Sequence, residues 1–334
     1  MAITPLTPEQ IPAYLAAHGL TADPARCTAR EMPGGVSNFA WWVERPEGAI
    51  VLKQARAKLA VAMEWLADVR RIIREAEAMD WLHGRIGGPT IPEMLLLDRD
   101  AMVMAMEAVL PPAENYKTML MRGDVTLEHA DRMGAMLARM HNVGEDRAAR
   151  EAFGDATFFD QLRMSPYYDT TAQRHPNLAP VIAQLRAECM EQRWCLVHGD
   201  YSAKNVLVRG DSKLVLLDYE VAHFGNPCFD LGFVLPDYLC LALMHPQWAG
   251  AYLAAARRLW LAYQHAIRLT VKSRERAGYH LAAILLARVD GKSPFEYFTD
   301  PALQQRVRVI ATAALLAPDT TISSVIAAVE KPAP

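Results

Sequence analysis

Residues 195–208 read CLVHGDYSAKNVLV, and this stretch decides how the rest of the chain is interpreted. An apolar strand signature leads directly into His198 and Asp200, and apolar residues resume after Asn205. A side chain delivered at the end of a strand sits on rigid backbone, which can aim it at a ligand. The stretch therefore predicts a functional site, with side chains positioned to contact a ligand, and not only a core strand.

A second acidic segment follows at residues 214–233, LVLLDYEVAHFGNPCFDLGF. Asp218 and Glu220 come directly after its apolar strand, and Asp230 stands where a helix is expected to begin. Each of these acids could instead form a turn or cap a helix, and for Asp230 the cap is the preferred interpretation. Four such residues in two short segments nevertheless favour a common site.

Carboxylates combined with one amide oxygen suit a hard cation such as Mg²⁺ better than zinc. Asn205 and Asp218 are therefore the candidate metal ligands, with Glu220 at or near the metal. Asp200 is the candidate to orient a substrate hydroxyl and accept its proton. His198 joins the catalytic candidates, although its simpler role is to hydrogen-bond the loop into shape.

Near the N-terminus, residues 31–42 read EMPGGVSNFAWW. Gly34, Gly35, Ser37 and Asn38 fall in a turn between two predicted strands, and backbone N–H groups in such a turn can lie over phosphates. Two glycines are common in the turn of any hairpin and do not by themselves indicate phosphate binding. The turn becomes informative through its neighbours along the chain.

Lys53 ends the apolar strand AIVLK, where an unpaired ammonium group is costly and a carboxylate or phosphate partner is expected. The next predicted helix, which includes Trp65, offers Glu75 and Glu77. Glu75 shares the inward apolar stripe of that helix, whereas Glu77 does not. Glu75 is therefore the expected partner of Lys53.

The composition describes an ordinary globular protein: 334 residues, 52% hydrophobic, 22% charged and a net charge of −3. No block of Lys or Arg is present, which argues against nucleic acid or an anionic membrane as partner. The five cysteines lack the spacing of a disulfide framework or zinc site. Neither a signal peptide nor an apolar run near the roughly 18 residues of a membrane span is seen, so a cytoplasmic location is expected.

The order of predicted elements indicates an α+β fold with two lobes. A helix starting at Thr7, several strands and one long helix make up an N-terminal lobe at residues 1–108. Residues 109–330 make up a mostly helical C-terminal lobe. The opening motif and its short strands lie inside this second lobe.

Taken together, the glycine-containing hairpin, Lys53, Glu75, the HGDYSAKN segment and Asp218-x-Glu220 resemble the aminoglycoside phosphotransferase-like kinases, which share the protein-kinase fold. The resemblance covers residues 25–320. Within that superfamily, IVLKQARAKL, RIIREAEAMDWL and LLDYEVAHFGNPCFDLGF are most similar to the methylthioribose kinase branch. The paired arginines of that branch near the C-terminus are not evident, because Val307 separates Arg306 from Arg308.

The resemblance implies a small-molecule kinase that binds ATP between its lobes. Adenine would lie against the hinge, which comprises Met106, Glu107, Ala108 and Val109. The phosphates would lie under residues 34–38, with Lys53 on the α- and β-phosphates while it pairs with Glu75. Mg²⁺ would be held by Asn205 and Asp218, with Glu220 nearby, and Asp200 would steer the acceptor hydroxyl.

The acceptor is expected to be a small molecule, because only 11 residues separate Asp218 from Asp230 and leave no room for a peptide-docking segment. From residue 231 onward, 11 Lys and Arg outnumber 7 Asp and Glu, which favours a neutral or anionic sugar or polyol over a polycation. Candidate acceptor contacts come from two segments, residues 158–169 and 286–298: Arg163, Tyr167, Arg288 and Asp290.

Two alternatives stay open at this point: a phosphotransferase for an aminoglycoside or other antibiotic, and a non-catalytic nucleotide-binding module. The chain is also compatible with a homodimer.

Overall fold

The computed structural model describes residues 4–33, 37–56 and 68–332. The chain forms two compact units, of which the first comprises Met1–Ala113 and Val215–Glu220 and the second Glu114–Leu214 and Val221–Pro334. The predicted α+β class is confirmed: an antiparallel sheet with one long helix characterises the first unit and helices dominate the second.

The first unit is built around a five-stranded antiparallel sheet of order β1-β2-β3-β5-β4. Its elements are α1 (Ile11–Ala17), β1 (Thr28–Glu31), β2 (Asn38–Glu44), β3 (Ile50–Ala55), α2 (Arg71–Ile86), β4 (Met94–Asp98) and β5 (Val103–Glu107). The first helix begins at Ile11, later than the predicted start at Thr7, because residues 8–10 form a turn. Trp65, expected in the long helix, and Gly34 and Gly35 lie outside the described residues.

Period-two alternation in β2 and β3 places one set of apolar side chains on the face of the sheet that packs against α1. This core consists of Ile11, Leu15, Trp41, Val43, Ile50, Leu52, Val103 and Ala105. The long helix α2 packs against β3, β4 and β5 and buries Glu75 on the same stripe as Ile72, Met79 and Leu82. The apolar stripe of α2 therefore brings one acid against the sheet.

The second unit is mostly helical. Its helices are α3 (Tyr116–Met121), α4 (Leu127–Val143), α5 (Arg147–Phe153), α6 (Thr157–Phe159), α7 (Thr170–Arg174), α8 (Ala179–Glu191), α9 (Pro227–Val234), α10 (Pro236–Met244), α11 (Ala249–Ala266), α12 (Ala277–Asp290), α13 (Pro301–Leu316) and α14 (Ile322–Glu330). A π-helical segment, Asp160–Asp169, joins α6 to α7. Its short strands are β7 (Cys195–Val197), β8 (Val206–Arg209) and β10 (His223–Gly225), and two further short strands, β6 (Ala113–Asn115) and β9 (Leu214–Leu216), include residues of both units.

The core of the second unit forms where α4 packs on α11 and where α12 packs on α9 and α13. The first of these contacts needs a glycine, because a Cβ at Gly134 would clash with the carbonyl oxygen of Leu259. Helix α12 is buried along nearly its whole length. A buried helix of this kind gives Arg288, near its C-terminal end, a fixed position.

One stretch among the described residues, Pro227–Met244, is long and apolar enough to cross a membrane, with a mean hydropathy of 1.4. The expectation that no run approaches this length was therefore wrong. The stretch contains α9 and α10, and 94% of it is buried inside the protein. It includes two buried carboxylates, Asp230 and Asp237, each with hydrogen-bond partners inside the second unit, which is the behaviour of core helices.

Candidate active site

The loop that follows β7 is held in place by a carboxylate from α9. Asp230 accepts hydrogen bonds from the backbone N–H groups of His198, at 2.7 Å, and Gly199, at 2.8 Å. Asp230 is fully buried, and its Oδ2 lies 3.2 Å from Nε2 of His141. Asn226, and not Asp230, caps α9, so the expected cap is in fact an anchor for the loop.

Gly199 is needed for the shape of this loop. Its φ of +75° lies in the left-handed region that favours glycine, and a Cβ there would meet the carbonyl oxygen of Val221 at 2.9 Å. Buried His198 accepts a hydrogen bond at Nδ1 from the backbone N–H of Asp200, at 3.2 Å. This contact is the loop-shaping role considered for His198.

Asp200 is 1% exposed and lies between two cations. Its Oδ1 is 2.9 Å from Nη2 of Arg163, and its Oδ2 is 2.9 Å from Nζ of Lys204. The amide nitrogen of Asn205 donates to both Oδ2 and the backbone oxygen of Asp200, at 2.8 Å each. Burial raises the pKa of Asp200, but the charges of Arg163 and Lys204 outweigh it and hold the pKa well below its usual range.

In the first unit, β3 and α2 bring Lys53 and Glu75 together. Nζ of Lys53 lies 2.5 Å from Oε1 of Glu75 and 3.9 Å from Oδ1 of Asp218. Burial lowers the pKa of Lys53, but these two carboxylates raise it further, so the ammonium group stays charged. Glu77 instead forms a more exposed pair with Arg99. The second oxygen of Glu75 is buried and has no hydrogen-bond partner among the described residues.

The segment 215–220 carries two further acids into the first unit. Asp218 has a φ of +72°, a conformation that aspartate tolerates better than most residues, and its side chain is 23% exposed. Glu220 is buried, and its Oε2 accepts from Nε of Arg71 at 3.1 Å. Arg71 is itself fully buried and donates to the backbone oxygens of Ser37 and Arg56.

The remaining nucleotide candidates also belong to the first unit. Ser37 precedes β2, and Asn38 begins it with a buried Oδ1 that has no hydrogen-bond partner among the described residues. Met106 and Glu107 end β5, and the backbone N–H of Ala108 donates to Ala49 at 3.4 Å. Val109 is half-buried. These residues stay candidates for nucleotide binding.

A cavity of about 380 Å³ opens in the second unit. It is lined by Lys117, Tyr167, Ser202, Lys204, Asp237, Arg288, Ser293, Pro294, Phe295, Glu296 and Tyr297. Lys204 connects it directly to Asp200, and the hydroxyl of Ser202 is buried without a hydrogen-bond partner among the described residues. The cavity therefore adjoins the carboxylate that the sequence indicates as catalytic.

Of the four candidate acceptor contacts, Tyr167 and Arg288 line this cavity, and Arg163 and Asp290 do not. Arg163 pairs with Asp200 and donates to the backbone oxygen of Gly199 at 2.9 Å. Asp290 is occupied by Arg308, with two contacts of 2.8 Å, and by His175.

The donor chemistry fits a hard divalent cation. Within the first unit, Asp218 offers a carboxylate. Within the second unit, the nitrogen of Asn205 is bound to Asp200, so its amide oxygen is the atom available to a metal. Among the described residues, no group of three or more His, Cys, Asp or Glu side chains that could hold a metal is assembled. Mg²⁺ commonly takes only one or two carboxylates and completes its shell with water and phosphate, so the donor set suits it.

Sequence reasoning missed four residues that contact the candidate residues or line the cavity. The sequence analysis did not predict Arg71 as a partner of Glu220. A basic residue on the buried side of α2 needs a buried partner, and Glu220 was already a candidate site residue. Lys204 had no assigned role, although its spacing of four from Asp200 in a tight loop permits contact. Asp237 and Tyr297, which are hydrogen-bonded at 2.9 Å in the cavity wall, carry no sequence signal that links them.

The sheet that presents Lys53, the helix that presents Glu75 and the helical unit that presents Asp200 define a protein-kinase-like fold. The chain belongs to the phosphotransferase enzyme family, whose family model matches residues 28–270. The resemblance stated from the motifs is thereby confirmed at the level of the family.

Relatives of known activity are similar to the chain over most of its length. The 4-hydroxytryptamine kinase of Psilocybe cyanescens is 24% identical over 281 residues, which cover 75% of this chain and 78% of the relative. Methylthioribose kinase 1 of Oryza sativa subsp. japonica is 26% identical over 245 residues, which cover 64% and 56%. The structure of amicoumacin kinase in complex with AMP-PNP and Ca²⁺ aligns with a TM-score of 0.56 at 14% identity, covers 90% and 92%, and shares the fold.

Proposed function

We propose that this protein is a small-molecule kinase that transfers the γ-phosphoryl group of ATP to a hydroxyl of its acceptor. The observation that carries this proposal is the placement of Asp200. It is an ionised, nearly buried carboxylate whose partner Lys204 lines a cavity large enough for a small acceptor. Membership of the phosphotransferase enzyme family supports the same reaction class.

Asp200 acts on the acceptor hydroxyl. The hydroxyl donates a hydrogen bond to the carboxylate, and its oxygen attacks the γ-phosphorus as the bond to the bridging oxygen breaks and ADP leaves. The hydroxyl proton passes to Asp200. Because the transition state of phosphoryl transfer is loose, positioning matters more than base strength, and a carboxylate of low pKa suffices. Arg163, Lys204 and Asn205 fix the position of the carboxylate.

The first unit serves the nucleotide in this proposal. Lys53, kept charged by Glu75 and Asp218, binds the α- and β-phosphates. Ser37 and Asn38 are proposed to contact the phosphates, and Gly34 and Gly35, outside the described residues, stay candidates for the same role. The hinge at residues 106–109 receives the adenine.

Asp218 and Asn205 are the residues that we propose to hold Mg²⁺, which neutralises charge on the phosphates when bound. Glu220 has a smaller part, because Arg71 already occupies one of its oxygens. His198 acts through the loop that carries Asp200.

For the acceptor we propose a sugar or polyol of the size of methylthioribose. An aminoglycoside is the weaker candidate, because the cationic lining side chains of the cavity, Lys117, Lys204 and Arg288, outnumber the anionic ones, Asp237 and Glu296, and a polycation needs the opposite balance. A cytoplasmic location, where ATP is available, fits this function. A homodimer stays an expectation, which sedimentation of the purified chain tests.

ADP release in the presence of Mg²⁺ and ATP, measured against sugars, amino alcohols and antibiotics, tests the function. We expect turnover with a sugar-like acceptor and none with Asp200→Asn. Binding of Mg-ATP without turnover of any acceptor would favour the non-catalytic module. Absence of Mg-ATP binding in calorimetry would remove the kinase proposal.

A further inference from the structure

We propose that the acceptor carries a carboxylate, which Arg288 binds: the substrate class is a polyhydroxylated carboxylic acid and not a neutral sugar. This inference rests on the proposed function and narrows its substrate. It starts from one side chain of the second unit. Arg288 lines the cavity and is only 7% exposed.

The guanidinium of Arg288 has no carboxylate partner in the part of the chain that the structure describes. Among the described residues, no carboxylate lies within 4.0 Å of it, and its buried Nε has no hydrogen-bond partner. Its Nη1 donates to the hydroxyl of Tyr167 at 2.6 Å and to the backbone oxygen of Ser293 at 3.5 Å. A buried charge without a partner is strongly unfavourable, so an anion from outside is the expected partner.

The other cations of the cavity are already neutralised. Lys204 pairs with Asp200 at 2.9 Å, and Lys117 lies 3.8 Å from Asp237 and over the ring of Tyr297. Asp237 also accepts a hydrogen bond from the hydroxyl of Tyr297 at 2.9 Å. Among the described lining residues, Arg288 is therefore the cation without a carboxylate within 4.0 Å, and the lining carboxylates are those of Asp237 and Glu296.

The surroundings of Arg288 select a planar anion. Its guanidinium carbon lies 4.4 to 4.9 Å from three ring centroids, those of Tyr167, Phe233 and Phe295. The planar fork of N–H groups of a guanidinium matches the two oxygens of a carboxylate. Such rings compensate a buried cation only in part. The unbonded hydroxyl of Ser202 can serve a hydroxyl of the same acceptor.

Matched sugar derivatives test the inference: D-gluconate, D-glucitol and D-glucamine, and the corresponding ribose-derived series, with ADP release as the readout. The members of each series share a carbon skeleton and differ in the charge of one end. We expect the aldonate to have the highest kcat/KM. If the alditol or the amine is preferred instead, the inference is wrong.

The variant Arg288→Gln distinguishes a role of Arg288 in binding the acceptor from a role in stabilising the fold. We expect its KM for the aldonate to rise by at least about 30-fold, its kcat/KM for the alditol to change little, and its KM for ATP to stay unchanged. Arg288→Lys should recover part of the loss, and Arg257→Gln, in an exposed pair with Glu330, is the matched control. An equal loss for all three acceptors would show a structural role and overturn the inference.

Calorimetry keeps this inference apart from the proposed function. Binding of the aldonate and of the alditol is measured directly on the full chain, with and without Mg-ATP. If Mg-ATP binds but the aldonate binds no more tightly than the alditol, the inference fails and the kinase proposal stands. If the aldonate binds preferentially but Mg-ATP does not bind, the kinase proposal fails and the anion site stands.

Discussion

At the scale of single residues, Asp200 combines a buried position with a negative charge, and two cations make this combination stable. We predict that Asp200→Asn lowers kcat by about 10²- to 10⁴-fold, because the acceptor hydroxyl loses its orienting carboxylate. The KM for ATP should stay within a few-fold of the wild type. Both quantities are measured by steady-state ADP release with an acceptor that the wild type phosphorylates. A melting curve checks that the variant is folded. Near-normal turnover would contradict the role of Asp200.

Lys204 is half-exposed and contributes to the low pKa of Asp200. The wild-type rate should therefore not titrate with Asp200 above about pH 5, because the carboxylate is already ionised there. Lys204→Met raises the pKa of Asp200, so we expect the acid limb of kcat to move to higher pH. Lys204→Arg should keep the wild-type profile. Profiles of kcat between about pH 4 and 8 test this, and superimposed wild-type and Lys204→Met curves would refute it.

Glu75 and Glu77 are two residues apart on α2 and offer a matched comparison. Glu75→Ala leaves the buried ammonium of Lys53 with only the more distant Asp218, so we predict a loss of about 3 kcal/mol or more in the free energy of unfolding. Glu77→Ala removes a more exposed pair with Arg99 and should change it by less than about 1 kcal/mol. Urea unfolding at pH 8 measures both. Equal losses of unfolding free energy in the two variants would show that the pair of Lys53 and Glu75 contributes little to stability.

At the scale of elements, α9 holds the loop that carries Asp200, through the two backbone N–H bonds to Asp230. Asp230→Asn replaces one of the accepting oxygens with a donor, so we predict a loss of about 2 kcal/mol or more in unfolding free energy. The value of kcat should fall as well, because the displaced loop carries Asp200. Asp131→Asn, in an exposed pair with Arg258, is the control.

The effect of Asp230→Asn should depend on pH. Burial raises the pKa of Asp230, but His141 and the backbone of His198 outweigh it and lower the pKa below the ordinary 3.8. A carboxylate with a depressed pKa in the folded state stabilises above its unfolded pKa and loses this contribution as pH falls. The stability difference from wild type should therefore narrow below about pH 4. A constant difference between neutral and acid pH would contradict this assignment.

Local patterns predicted the elements well where one physical signal dominated. The apolar run that ends at Lys53 and the apolar stripe of α2 were enough to predict that Lys53 pairs with Glu75, because both signals are local. The partners of Arg163 and Lys204 could not be predicted, since they depend on how a π-helical segment and a loop pack around Asp200. The function of Asp230 was missed for the same reason, since a cap and a loop anchor look alike in sequence.

At the scale of the whole molecule, the first unit is assembled from two distant parts of the chain, residues 1–113 and 215–220. The buried pair between Arg71 and Glu220 joins these parts across 149 positions. Composition and periodicity contain no information about such a pairing, because it depends on the path of the chain through the second unit. Arg71 also donates to the backbone oxygens of Ser37, just before β2, and Arg56, just after β3. This one side chain therefore links the 215–220 segment to the open end of the β2–β3 hairpin.

A double-mutant cycle tests whether this link is energetic. Arg71→Met and Glu220→Gln each remove one charge of this buried pair, so each single change should cost about 3 kcal/mol or more. The double variant removes both charges and should cost less than the sum, with a coupling of about 1 to 3 kcal/mol. Denaturant unfolding followed by tryptophan fluorescence measures this coupling energy, with buried Trp41 as a reporter in the first unit.

The more exposed pair of Glu77 and Arg99 is the control cycle, for which we expect a coupling below about 1 kcal/mol. Additive effects of Arg71→Met and Glu220→Gln would contradict the link and would mean that the apolar residues of the segment 215–220 hold it in the first unit.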